Sequence, residues 1–220
     1  MSPFARAAIV SCCLALAACA GFRGGWESVP YVGDTPPSLP ESRTPFEARE
    51  RSRLQLAGIT LDVGINNQTR THDLQVMLFA LPVMVDPRTV QTQTVEPART
   101  RVSLRVTGTD GDFVLRARHA RLIVRGQAVS AIGAHAFGLW DSAGNRVSSG
   151  GQWAHRPLDD EHAIGQGAHP DVLSIDFPLP TPSPAEAGIA LDLSEALRAP
   201  GKPVIPLIRF HPTRWKEGYT

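Results

Sequence analysis

From Leu56 onward apolar side chains recur at every second position, and that period confines most of the chain to β-strands. Ile59, Leu61, Val63 and Ile65 alternate with Thr60, Asp62, Gly64 and Asn66, and the Asn66-Asn67 pair predicts a turn. Leu74 to Leu81 is apolar at both parities, which predicts a strand near the centre of a sandwich. Val102, Leu104 and Val106 alternate with Arg101, Ser103 and Arg105. Arg121 to Arg125 and the run from Ala128 flank Gly126-Gln127, a tight hairpin turn. Phe137, Leu139 and Trp140 lead into a turn from Asp141 to Asn145. Leu173, Ile175 and Phe177 form another alternating run, and Pro178, Pro180, Pro182 and Pro184 then enforce a loop. Ile189, Leu191 and Leu193 follow. Val204 to Phe210 closes the sheet, with Pro206 marking an edge strand or a bulge. Short strands at even spacing, Gly and Pro turns and no long amphipathic helix predict an all-β fold, a single β-sandwich over residues 54–211. The immunoglobulin-like kind ranks first, with a jelly roll or a small closed barrel as alternatives.

The cysteines divide the chain. Cys12, Cys13 and Cys19 are its three cysteines, so nothing beyond Cys19 can form a disulfide, a thiol nucleophile or a cysteine zinc site. Arg6 precedes an apolar stretch from Ala7 to Ala18 that is broken only by Ser11, shorter than the ~20 residues a bilayer core requires. The stretch ends in Leu16-Ala17-Ala18-Cys19, followed by Ala20. This resembles the lipobox of bacterial lipoproteins, and no specific family beyond that is recognised. The resemblance implies that residues 1–18 are a signal peptide, that the Cys19 thiol takes a diacylglycerol, and that the new amino terminus is acylated as well. Cys12 also fits a loose lipobox, but only five residues separate it from Arg6, which leaves too short a hydrophobic region. Ala20 stands where lipoproteins kept in the inner membrane tend to have Asp. By the same resemblance the protein is expected on the outer membrane, facing the periplasm.

Cleavage before Cys19 removes Arg6 and leaves 21 basic against 21 acidic residues, a balance that disfavours a nucleic-acid partner. Residues 20–43 mix Gly21, Gly24, Gly25 and Gly33 with Pro30, Pro36, Pro37 and Pro40 without apolar periodicity, and so read as a flexible tether. Trp26 and Tyr31 are expected at the lipid interface or packed back on the domain. Thr44-Pro45-Phe46-Glu47 has the order of an N-cap, a first-turn proline and a capping box, predicting a short helix within the segment 19–53. Residues 212–220 form a tail that mixes Arg214, Trp215, Lys216 and Tyr219. Covering a sheet edge is the favoured role for it over contact with a partner, peptidoglycan or lipid.

The candidate chemistry gathers in one polar stretch. His155, Asp159, Asp160, His162, His169 and Asp171 are ligand types for zinc, and the acids for calcium. Their spacing matches neither His-Glu-x-x-His nor a twelve-residue calcium loop, so a solvated loop is the preferred reading. Ser148-Ser149-Gly150-Gly151 lacks the Gly-x-Ser-x-Gly nucleophile pattern and reads as a connector. His135, between Ala134 and Ala136, is expected to be a hydrogen-bonded histidine in the sheet, and Phe113, Phe137, Trp140 and Trp153 core or edge packing. No cofactor is indicated. The expectation is a lipid-anchored, non-enzymatic binding or assembly module that contacts the bilayer through Cys19 and has an envelope protein as partner. A metal-dependent hydrolase built on 155–171, or a carrier of lipid or another small ligand, are the alternatives.

Overall fold

The alternating runs fold as antiparallel strands. A computed structural model describes residues 19–77, 83–93, 96–167 and 169–219. The signal segment with Leu16, Ala17 and Ala18, and the 78–81 part of the apolar run, lie outside the described residues. The strands are β1 (Cys19–Val32), β2 (Leu54–Leu56), β3 (Ile59–Ile65), β4 (Thr69–Met77), β5 (Val83–Asp86) and β6 (Val90–Gln91). They continue as β7 (Thr100–Gly108), β8 (Val114–Leu115), β9 (Arg121–Val124), β10 (Gln127–Ser130), β11 (Gly133–Trp140) and β12 (Gln152–Pro157). The last five are β13 (His162–Ala163), β14 (Asp171–Phe177), β15 (Ala190–Asp192), β16 (Leu197–Arg198) and β17 (Ile208–Tyr219).

The strands form an eight-stranded sheet, β10-β9-β15-β17-β1-β4-β5 with β6 also on β4, a six-stranded sheet, β12-β11-β14-β7-β3-β2, and a small sheet, β13-β8-β16. Ile59, Leu61 and Val63 of β3, Val102 and Leu104 of β7 and Ile175 of β14 meet Leu122, Leu191 and Ile208 of the larger sheet in one buried cluster. The chain is therefore an all-β sandwich. Each of these side chains is close to fully buried, and the layer between the sheets is filled by them. The β9–β10 hairpin turns on Arg125 and Gly126, one residue earlier than expected, with both at positive φ as a type I′ turn requires.

Both ends of the chain depart from expectation. The tether segment begins as β1, which pairs with β17 from Gly21↔Tyr219 to Val32↔Ile208 and with β4 from Cys19↔Met77 to Trp26↔Thr69. The tail at 212–220 is not an edge cover: through Tyr219 it forms most of β17, an interior strand of the larger sheet. The domain thus overruns the predicted 54–211 at both ends, and Val204 to Leu207 precedes the strand. Trp26 packs back under the guanidinium of Arg214, 4.8 Å from its ring centre. Trp215 is buried, and its indole N–H donates to the Thr69 carbonyl at 3.2 Å. β1 shifts register against β4 between Gly24 and Gly25. A Cβ at Gly25 would lie 1.8 Å from the Thr69 oxygen, so only glycine fits this bulge.

The predicted helix forms as α1 (Glu47–Arg51), but the capping box does not. Phe46 is the N-cap, at φ 70°, and no side chain of its own turn caps the helix. Its amide instead donates to Glu27 Oε2 on β1 at 2.9 Å, while Glu47 accepts from the Arg43 amide at 2.6 Å. A buried carboxylate from a strand 19 residues earlier has replaced the local cap.

Candidate functional site

The most developed polar constellation lies where β11, β14 and β7 run side by side. Leu173, Ile175 and Phe177 face the core, so Ser174 and Asp176 point to the outer face of the six-stranded sheet. Val102 and Leu104 likewise turn Arg101 and Ser103 outward. Register then sets Asp176 directly opposite Arg101 and Ser174 opposite His135. Asp176, only 2% exposed, takes a two-pronged contact from Arg101, with Nε at 2.7 Å and Nη2 at 2.8 Å. Arg99 Nη1 lies 3.8 Å away, and His135 Nδ1 approaches to 3.6 Å.

The electrostatics follow from this packing. Burial alone would raise the Asp176 carboxyl. The Arg101 hydrogen bonds, backed by the charges of Arg101, His135 and Arg99, outweigh it and hold the group below the ordinary carboxylate range. His155, opposite Phe137 on β12, is held below the ordinary histidine range first by burial, then by the nearby charges of Arg101 and His135. Its ring tilts against Phe137 at 4.8 Å, and Phe137 stacks on Trp153 at 5.2 Å. Phe113 is in the core and Trp140 packs against it, as expected, but Trp153 is 67% exposed and forms the open end of an aromatic strip.

A cleft of about 330 Å³ borders the cluster, lined by His135 and Asp176, by Arg99 and Arg118, and by Asp159 and Asp160. No serine, threonine, cysteine or lysine is among its lining residues. Arg118 and Asp160 pair across it at 3.1 Å. The His135 Nδ1 atom is buried and has no hydrogen-bond partner, which differs from the satisfied histidine expected there. The arrangement supplies charged and aromatic groups that can hold a polar ligand.

The six candidate ligands do not converge. The stretch 155–171 is not one loop but contains the end of β12, all of β13 and the start of β14. His162 and Asp171 come within 3.9 Å, yet Asp171 already accepts from Arg146 at 2.9 Å and from the Gly165 amide at 2.8 Å. A guanidinium on that carboxylate opposes a cation. Asp160 is tied to Arg118, His155 stacks on Phe137, and Asp159 and His169 are exposed. Among the described residues no group of three or more His, Cys, Asp or Glu side chains gathers as a metal shell. Ser148 to Gly151 lie in the connection between β11 and β12. Sequence reasoning missed Asp176 and Arg101. Alternation alone turns both outward, but only the register of β14 on β7 brings them together.

No protein-family model, curated protein or solved structure matches this chain. The fold and the site therefore rest on the chain's own residues.

Proposed function

We propose that the protein is a lipid-anchored envelope protein, held at the membrane by acyl chains on Cys19 and acting there as a non-enzymatic binding or assembly module. The observation that carries this reading is the Leu16-Ala17-Ala18-Cys19 lipobox at the end of the apolar stretch. Cleavage there falls immediately before Cys19, so the strands described, from Cys19 onward, are retained after cleavage. Two or more acyl chains give stable attachment, since each buried CH₂ contributes about 0.8 kcal/mol. Ala20 favours the outer membrane, facing the periplasm. The binding role is supported by the outer face of the six-stranded sheet, where exposed Trp153, Phe137 and His155 adjoin the cleft at His135.

Radiolabelled palmitate should enter the wild-type chain and be lost in Cys19→Ser. A chain that stays unlabelled, or a variant that still takes up label, would sink the anchor. Crosslinking in intact envelopes should capture a partner through the Trp153 face. Capture unchanged by Trp153→Ala together with His155→Ala would remove that face from the reading.

A further inference from the structure

At the Cys19 end, the larger sheet runs on as a single layer beyond the sandwich. Adjacent residues show this directly. Phe22 is 45% exposed and the Arg23 side chain also 45% exposed, although successive strand residues point to opposite faces. Among the described residues, neither face of β17-β1-β4-β5 is therefore fully covered at this height.

The two faces differ in kind. One carries paired charges: Arg23 meets Glu217 at 2.7 Å, and Arg70 meets Asp73 at 2.9 Å and Asp86 at 3.1 Å. The other carries an apolar row in register, Phe22↔Leu74↔Val85, with Val85 60% exposed. The next row toward Cys19 in register is Ala20, Val76 and Val83. One step farther from Cys19 the row is Lys216, Gly24 and His72, with Lys216 Nζ 5.6 Å from the Phe22 ring centre. The His72 ring lies so close to Gly24 that a Cβ there would meet its Cε1 at 2.7 Å. Arg214 follows over Trp26. No aspartate or glutamate occupies residues 20, 22, 24 or 26 of β1, 72, 74 or 76 of β4, 83 or 85 of β5, or 214, 216 or 218 of β17.

We propose that this apolar and cationic face rests in the headgroup layer of the bilayer that holds Cys19. The inference rests on the lipid-anchor reading above. Cys19 is itself a residue of β1, paired with Met77, so no spacer lifts the sheet from the lipid. At about 3.4 Å per residue, Phe22 lies about 10 Å from the acylated residue and the Lys216 row about 17 Å. Apolar faces of interfacial elements sit about 5–10 Å into the headgroup and acyl boundary, with basic side chains above them at the level of anionic headgroups. The sheet end offers both in that order. The opposite face, with its charges already paired, turns to water. The domain is then held in one orientation on the membrane and does not swing freely.

The test uses the full, lipidated chain in vesicles of phosphatidylethanolamine and phosphatidylglycerol. After processing, Cys19 is acylated and no other cysteine remains, so Val85→Cys and Gln75→Cys each accept one spin label. Both positions are exposed or at the rim, and they lie on opposite faces at nearly the same height. The ratio of oxygen to aqueous nickel-chelate collisions should be several-fold higher at 85 than at 75. Equal ratios, whether both aqueous or both lipid-like, overturn the inference. Mass analysis of the same samples separates the two readings: a chain without acyl mass overturns both, and an acylated chain with equal ratios overturns this one alone.

Discussion

Glu27 is the residue at which the fold is most exposed to pH. It is 3% exposed on β1, and one carboxylate oxygen caps Phe46 while the other has no partner. Burial pushes its pKa up to about 7 from 4.5, against the Phe46 amide and the Arg49 charge, with Glu47 adding to the rise. The folded chain keeps a proton that the unfolded chain releases above its ordinary pKa. Stability therefore falls as pH rises from about 4.5 and levels off above about 7, a total of the order of 3 kcal/mol. In Glu27→Gln, denaturant melts between pH 5 and 8 should lose this slope, and the variant should be the more stable protein at pH 8. A slope unchanged from wild type would remove Glu27 as its source. Asp176 behaves in the opposite sense. Its lowered pKa adds stability that is present above the ordinary carboxylate range and lost as pH falls through the folded value. Asp176→Asn leaves the Arg101 guanidinium without its counter-charge and should cost about 2–3 kcal/mol at neutral pH, a difference that shrinks in acid. Equal melts at pH 7 would mean that the pair contributes nothing.

At the scale of elements, the β1–β17 pair decides whether the larger sheet exists. Deleting residues 212–220 removes the rungs from Ser28↔Pro212 to Gly21↔Tyr219 and exposes the inner edge of β1. Circular dichroism of the truncated chain should show no cooperative melt, whereas loss of a mere tail would leave it intact. The sequence hid this pair behind two prolines. Pro30 and Pro212 both argue for loops, because proline cannot donate to a ladder. Each is tolerated here because its strand has only one neighbour at that height. β4 pairs with β1 no farther than Trp26, and β15 pairs with β17 only at Ile208 and Arg209. The unbonded side of each strand faces away from its partner, where the missing N–H costs nothing. By contrast β3, β7 and β14 were legible from alternation, because each buries one face fully under the other sheet.

For the whole molecule, the consequence is a domain closed by its own two ends. Cys19 and Tyr219 lie at the same end of neighbouring antiparallel strands, and the Arg125-Gly126 turn lies at the far edge of the sheet. A chain permuted to start at Gln127, with Tyr219 joined to Ala20 by a short Asn-Gly-type turn, loses the Cys19↔Met77 rung and keeps every other strand pairing described. It should unfold cooperatively, with a melting temperature within several degrees of the unpermuted domain. A molten permutant would contradict the adjacency of β1 and β17. Because the pairing joins residues almost 200 positions apart, the larger sheet cannot be completed until the carboxy-terminal strand is available.

The sequence by itself determined the strand class, the faces of the central strands and the absence of any cysteine beyond residue 19. These follow from local period and residue type, which need no knowledge of neighbours. Tertiary structure alone decided which strands meet. It turned the glycine- and proline-rich segment into β1, made the tail β17, gave α1 its cap from Glu27 and set Asp176 against Arg101. It also dispersed the six candidate ligands. Each of those outcomes depends on register between segments far apart in sequence, and no single segment encodes a register alone.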